Sequence, residues 1–298
     1  MSNQIPQNIG LIGLGAMGAG MASSLRRAGY NVHVYDIRPE AVIAFTADGG
    51  VACDSAESVA DACPIVISVL VNADQTEQLL FGAGGMAARM QPDSTFVMCS
   101  TVDPNWSVNL EQRLEAMGIG YLDAPISGGA AKAASGEMTM MTAGKPAVYA
   151  CLNGVLEAMA AKVYRLGDQA GNGSKVKIIN QLLAGVHIAA AAEAMALGLR
   201  EGVAADDLYE VITHSAGNSW MFENRMAHVL KGDYTPLSAV DIFVKDLGLV
   251  LDTARATKFP LPLSATAHQM FMQASTAGFG REDDAAGIKI FPGIELPK

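Results

Sequence analysis

Between Asn8 and Asp168 short, nearly continuous apolar runs alternate with amphipathic ones, and this alternation limits the folds open to the chain more than any other feature. The apolar runs are NIGLIG, NVHVYD, PIVISVLV, TFVMCST and IGYLDAP; between them lie MGAGMASSLRRAG, a stretch around 39–48, NADQTEQLLFG and NLEQRLEAMG. Strands that lack polar alternation are covered on both faces, and intervening helices supply the cover, so a parallel sheet is predicted. MTMMTAG, a helix near 147–161 and KVYRLGD extend the pattern to Asp168. Beyond it no strand pattern recurs, and helices are predicted at about 174–201, 205–215, 219–231, 237–256 and 262–277. The three glycines of GDQAGNG punctuate the change.

The first apolar run leads into Gly13-x-Gly15-x-x-Gly18, then a helix, then a second strand ending in Asp36. The glycine pattern alone is a weak signal, but its strand–turn–helix–strand setting is complete. Gly13 allows the tight turn, Gly15 lets the backbone approach a pyrophosphate, and Gly18 permits close helix packing. The helix start offers N–H groups and a positive dipole to phosphate. Asp36, 23 residues after Gly13, suits the ribose hydroxyls of NAD, and its charge opposes a 2′-phosphate, although Arg38 keeps NADP as a lesser alternative. The expected architecture is therefore α/β: a Rossmann-type doubly wound parallel sheet in residues 1–168 that binds NAD, followed by an all-α domain in 169–298.

Composition narrows the partners. A chain of 298 residues exceeds the roughly 100–200 of one domain, and its 50% hydrophobic content supplies ample core. A net charge of −10 opposes nucleic acid and anionic lipid. Cysteines at 53, 63, 99 and 151 form no C-x-x-C pair, so neither zinc nor a disulfide framework is expected, and a reducing cytoplasm fits. The histidines at 33, 187, 214, 228 and 268 have no ligand spacing, so no metal is expected. The polar start MSNQIPQ lacks a leader pattern, and the apolar stretch 178–199 carries Asn180, Gln181, His187 and Glu193, which disfavours a membrane span.

Two further stretches carry candidate chemistry. In DAPISGG, Pro125 stops strand pairing, and Ser127-Gly128-Gly129 reads either as a backbone nest for a carboxylate or as a flexible turn. In GNGSKVKIINQ, Lys177, Asn180 and Gln181 share one helix face while Lys175 points elsewhere. Lys177 is a catalytic amine or, the commoner fate, a lysine reaching to solvent from a helix end. Lys245, in another apolar helix, has Asp241 at i−4 as a possible pair. The apolar character of the helix after 174 suits an interface, so a homodimer or homotetramer is expected.

The glycine motif with its Met17, the DAPISGG segment, the run from Gly173 through Lys177 to Asn180 and the KDL at 245–247 together resemble the 3-hydroxyisobutyrate dehydrogenase family of β-hydroxyacid dehydrogenases, over almost the whole chain. Residues 213–254 and 281–291 are most similar to a branch of it acting on a four-carbon sugar acid. The resemblance implies an NAD-dependent dehydrogenase of a small anionic hydroxy acid. It makes Lys177 and Asn180 the catalytic pair, places the substrate carboxylate on Ser127, Gly128 and Gly129, and assigns Gly13, Leu14, Gly15, Ala16, Met17, Gly18, Asp36, Thr101 and Lys245 to the cofactor. Many members have two asparagines where this chain has Asn180-Gln181, so the role of Gln181 is open. Another hydroxy acid of the family and a non-catalytic dinucleotide-binding protein are the competing expectations.

The chemistry sets a condition on Lys177. Oxidising an alcohol sends hydride to the nicotinamide and a proton to a base, and an exposed lysine, protonated up to a pKa near ~10.4, cannot be that base. Burial, a neighbouring cation such as Lys245 and the positive nicotinamide ring favour the neutral amine, while the substrate carboxylate opposes it. Ser219, Trp220, Phe222, Asn224 and Arg225 are candidates for contacts to distal hydroxyls.

Overall fold

A computed structural model describes residues 7–297; residues 1–6, most of the polar MSNQIPQ start, and Lys298 lie outside the described residues. The chain divides after Lys177 into two compact units. In the first, β1 (Asn8–Ile12), α1 (Ala16–Arg27), β2 (Asn31–Tyr35), α2 (Pro39–Thr46), β3 (Val51–Ala52), α3 (Ala56–Ala62), β4 (Ile65–Ser68), α4 (Ala73–Phe81), β5 (Thr95–Met98), α5 (Pro104–Glu115) and β6 (Gly120–Asp123) follow one another. The six strands form one parallel sheet in the order β3-β2-β1-β4-β5-β6.

Side chains leave successive strand positions for opposite faces, and the cores follow that rule. Ile9, Leu11, Ile65, Ile67 and Val97 enter one core, while Ile12, Val66, Phe96 and Met98 enter the other. Local chemistry starts the helices. Ser55 and Ser58 form a capping box on α3, the Asn72 side chain accepts from the Gln75 N–H at the start of α4, and Asp103 accepts from Asn105 and Trp106 N–H beside Pro104 in α5.

Three departures from the sequence-based expectation appear here. The edge pair β3 and α3 fall in a stretch without a readable period, because two exposed residues are too short to show one. The expected helix near 147–161 is two short helices, α7 (Pro146–Cys151) and α8 (Val155–Met159), separated at Gly154 with φ +81°. MTMMT and AAKVYR do not extend the large sheet. With β7 (Ile126–Ser127), which precedes α6 (Gly129–Ser135), they form a separate three-stranded sheet as β8 (Met138–Thr142) and β9 (Ala160–Arg165). β7 and β8 run antiparallel, since the seven-residue α6 is too short for a parallel crossover.

The second half is helical: α9 (Asn172–Arg200), α10 (Ala205–Thr213), α11 (Trp220–Leu230), α12 (Val240–Ala256) and α13 (Pro262–Ala274), within a few residues of the expected bounds. α9 is long and apolar enough for a membrane span by length and composition. Part of its apolar surface serves two cores of the second unit: Ala184, Ile188 and Ala189 pack with Phe243, Leu247 and Phe271, and Ala192, Met195 and Ala196 with Phe222, Met226 and Ile288.

The strand pattern ends at Asp168, yet the compact division falls after Lys177, because the first turn of α9 is bonded into the first unit. The Asp123 carboxylate, wholly buried at the end of β6, accepts Gly171 N–H at 2.8 Å, Ser174 N–H at 2.9 Å and the Ser174 hydroxyl at 2.7 Å. Ala170 N–H points at the buried Glu111 carboxylate at 3.4 Å. A cap of this kind satisfies helix-start donors that would otherwise be orphaned. Asp123→Ala leaves those donors buried without an acceptor, and urea unfolding should report a loss of roughly 3 kcal/mol. A loss under about 1 kcal/mol would contradict the cap's weight.

Candidate active site

The residues singled out in the first unit gather at the carboxyl ends of parallel strands. Gly13 follows β1, Asp36 follows β2, Thr101 lies shortly after β5, and Ser127 lies shortly after β6. Strand order reverses between β1 and β4, on either side of the glycine turn, and such a switch point opens a crevice at the strand ends. Gly13 has φ +96° and donates its N–H to Tyr35 O at 3.0 Å. A Cβ on Gly18 would run into the Gly13 carbonyl oxygen, so the turn closes only on glycine. Gly15 caps α1 with no side-chain hydrogen bond, and a Cβ there would face open space. An uncapped helix start with an unobstructed approach fits the pyrophosphate of a dinucleotide. Leu14 is buried in the adjoining core, Met17 packs partly against it, and Ala16 is exposed.

Asp36 is tied to that turn. One of its oxygens accepts Leu14 N–H at 2.6 Å; the other accepts Arg38 N–H at 2.8 Å and Arg38 Nε at 3.1 Å. Partial burial pushes its pKa up, but the bonds from Arg38 and Leu14 outweigh that and hold it below the usual carboxylate value. Two acceptor directions thus serve backbone and the others the half-exposed Arg38 side chain. A pair of ribose hydroxyls can take the place of the guanidinium without disturbing the backbone bonds.

Ser127 pairs with Thr139 across β7 and β8, and the chain then turns into α6 through Gly128 at φ +142° and Gly129 at φ +78°. Two successive positive φ values require glycine and make this a defined turn. Lys177 is buried, with 7% of its surface exposed, one turn after the Asp123 cap, whereas Lys175 is exposed beside Asn172. The alternative of a lysine reaching to solvent therefore applies to Lys175.

In the second unit Asn180, Gln181, Lys245 and Asp246 are linked. Asp246, 1% exposed, accepts Gln181 Nε2 at 2.5 Å and Lys245 Nζ at 2.5 Å, and Gln181 Oε1 accepts Asn180 Nδ2 at 3.1 Å. Lys245 thus bonds its neighbour Asp246, while Asp241, the partner its spacing suggested, accepts the Ser275 hydroxyl. Of the candidates for distal hydroxyls, Phe222 is buried in a core and Arg225 is buried against Asp284, so neither is available. Ser219 caps α11, and only Trp220 and Asn224 line a surface hollow of about 320 Å³. Sequence reasoning missed Asp123 and Asp246. Each lies in a quoted motif, but its role depends on partners far along the chain.

Similarity to known proteins extends over both units. Residues 8–167 match the family described as the NAD binding domain of 6-phosphogluconate dehydrogenase, and residues 171–291 that described as NAD-binding of NADP-dependent 3-hydroxyisobutyrate dehydrogenase. The L-threonate dehydrogenase of Cupriavidus necator is 67% identical over 98% of each chain, and that of Escherichia coli K12 is 52% identical over 97% of this chain and 96% of its own. The crystal structure of 3-hydroxyisobutyrate dehydrogenase from Salmonella typhimurium is 53% identical, covers 96% of this chain and all of its own, and superposes with a TM-score of 0.92.

The Asp36 geometry generates a test. Asp36→Ala removes the acceptor for ribose hydroxyls and the charge facing a 2′-phosphate. The ratio of kcat/KM with NAD to that with NADP should fall roughly tenfold or more, ~1.4 kcal/mol. An unchanged ratio would show that cofactor choice lies elsewhere.

Proposed function

The chain belongs to the 3-hydroxyisobutyrate dehydrogenase family, and from that premise we propose that it oxidises the C2 hydroxyl of L-threonate to 2-dehydro-L-erythronate with NAD, using Lys177 as general acid/base. The observation that carries the substrate is the 67% identity, over nearly the full length, with a relative named L-threonate dehydrogenase. The 53% identical Salmonella structure bears the name 3-hydroxyisobutyrate dehydrogenase, which favours as second reading another hydroxy acid handled by the same residues. A non-catalytic dinucleotide-binding role is disfavoured by the joint presence of Lys177, Asn180 and the Ser127–Gly129 turn.

NAD, when bound, supplies the acceptor for the hydride that leaves C2. The Ser127-Gly128-Gly129 turn holds the substrate carboxylate through backbone N–H groups and so fixes which face of C2 is presented. Lys177 Nζ takes the hydroxyl proton as the C–H bond breaks; in the reverse direction it returns that proton to the carbonyl oxygen. Its burial supplies the dry surroundings in which an amine base works. Asn180, three residues on along the same helix face, orients the alcohol or the amine. Gly13, Leu14, Gly15, Ala16, Met17, Gly18 and Asp36 hold the adenosine and pyrophosphate part, and Thr101 and Lys245 are assigned to the nicotinamide end by the family resemblance. Residues 1–168 form the NAD-binding domain and also lend the Ser127–Gly129 turn to the substrate; residues 169–298 form the substrate and assembly domain and also lend Lys245 to the nicotinamide end.

We place the protein in the cytoplasm, since its four cysteines are free thiols and suit a reducing compartment. We also propose a homodimer or homotetramer. Ile179, Leu183 and Leu197 on α9 are exposed by 58, 52 and 62%, an apolar row of the kind that subunit contacts cover. Sedimentation equilibrium at micromolar concentration should give a multiple of 31.0 kDa; a monomer would refute the assembly.

The function is tested with a panel of three- and four-carbon hydroxy acids and NAD. Turnover of L-threonate is expected to lead; its absence beside good turnover of 3-hydroxyisobutyrate would end the first reading. Lys177→Met should lower kcat by roughly 10²–10⁴-fold with NAD affinity retained. Loss of both together would point to a folding defect and not to a missing base.

A further inference from the structure

The second unit gives Gln181 a specific place. α12 approaches α9 closely at Gly185, where a Cβ would meet the Leu247 side chain within 3.1 Å. One turn before Gly185, and immediately before Leu247, Gln181 and Asp246 are thereby brought into bonding distance. Asp246 is buried and faces the Lys245 ammonium through one oxygen, so its other oxygen is a fixed acceptor. Gln181 must turn its NH2 toward that oxygen, which directs its Oε1 the opposite way. That oxygen accepts from Asn180, so the Asn180 NH2 faces back toward Gln181. The amide oxygen of Asn180 is then the end directed away from the chain of bonds.

We propose that Gln181 is a positioning residue that fixes the polarity of Asn180: held by Asp246, it makes Asn180 present a carbonyl oxygen, an acceptor, to the reacting alcohol or the lysine amine. The inference rests on the reading of Asn180 as part of the reaction site. An acceptor there suits a group that carries a proton, either the substrate hydroxyl before reaction or the ammonium of Lys177 after it. Gln181 bonds both Asp246 and Asn180 and so completes the series.

Reversing the polarity of one link and then restoring it provides the test. In Gln181→Glu two carboxylates face each other. In Asp246→Asn the new amide can donate to Gln181, which then flips, and Asn180 flips with it. Each should lower kcat at least about tenfold. In the double variant Q181E/D246N, the amide introduced by the second change donates to the carboxylate introduced by the first. That carboxylate still accepts from Asn180, and the new amide's oxygen still accepts from Lys245. The total charge is that of the parent, and kcat should recover to within about threefold of it. A double variant no better than the poorer single one overturns the proposal, as does wild-type kcat in either single variant.

A second measurement does not depend on turnover. The side-chain amide NMR signals of Asn180, assigned through Asn180→Asp, should show one slowly exchanging, downfield proton that is lost in Gln181→Met at an unchanged melting temperature. Unaltered Asn180 signals in that variant also overturn the proposal. A wild type inactive on every hydroxy acid would instead refute the functional reading, leaving the NMR result to decide the role of Gln181.

Discussion

The Asp123 carboxylate at the end of β6 is the contact on which the rest of the arrangement depends. Taking a carboxylate out of water is costly, and burial does raise the pKa of Asp123 above the ordinary value, although the bonds from Ser174 and Gly171 pull it back. What offsets the cost is geometry: three donors from the loop and first turn of α9 converge on one buried group. Within the first unit, β6 and the first turn of α9 are thereby joined. With Ser174 bonded to Asp123, Lys177 follows three residues later at a fixed height and rotation on α9. A buried hydroxyl pair, Ser107 with Tyr121 at 2.8 Å, lies beside this carboxylate, so the polar groups around it are mutually satisfied.

A similar economy governs the second unit. Asp283 and Asp284 are both fully buried in an apolar helical body, a placement that demands partners. Asp284 faces Arg225; burial pushes its pKa up to about 6, with the guanidinium opposing. Asp283 accepts Ala285 N–H and Leu237 N–H and lies 3.3 Å from His228. The pair with Asp284 accounts for Arg225, the charged residue among the candidates for distal hydroxyls. Asp246 is different, for its partners are Lys245, in the KDL motif, and Gln181, the neighbour of Asn180.

Much of the fold was legible because its signals are local. The five apolar runs became β1, β2, β4, β5 and β6, and the late helices fell within a few residues of their expected ends. The glycine turn was legible for the same reason: positive φ at Gly13 and close packing at Gly18 are demands that only one residue type meets. Short elements were not legible. β3 has two residues, and β7 through β9 carry the composition of the large sheet but pair among themselves, a choice that strand composition does not encode. The candidate site divides along the same line. Lys177 and Asn180 were visible as polar residues intruding on an apolar helix, whereas Asp123 and Asp246 became meaningful only through the donors that reach them.

The sequence by itself determined the alternation of strand and helix, the dinucleotide-type turn and the presence of a lysine where an apolar helix begins. Periodicity, backbone dihedral limits and side-chain chemistry act over a few residues, so they can be read in order along the chain. Tertiary structure alone decided which lysine is buried, which carboxylate caps α9, and that Asp246 rather than Asp241 holds Lys245. Those outcomes are set by buried donors and acceptors seeking partners far along the chain, and only the folded chain brings such partners within a hydrogen bond's length.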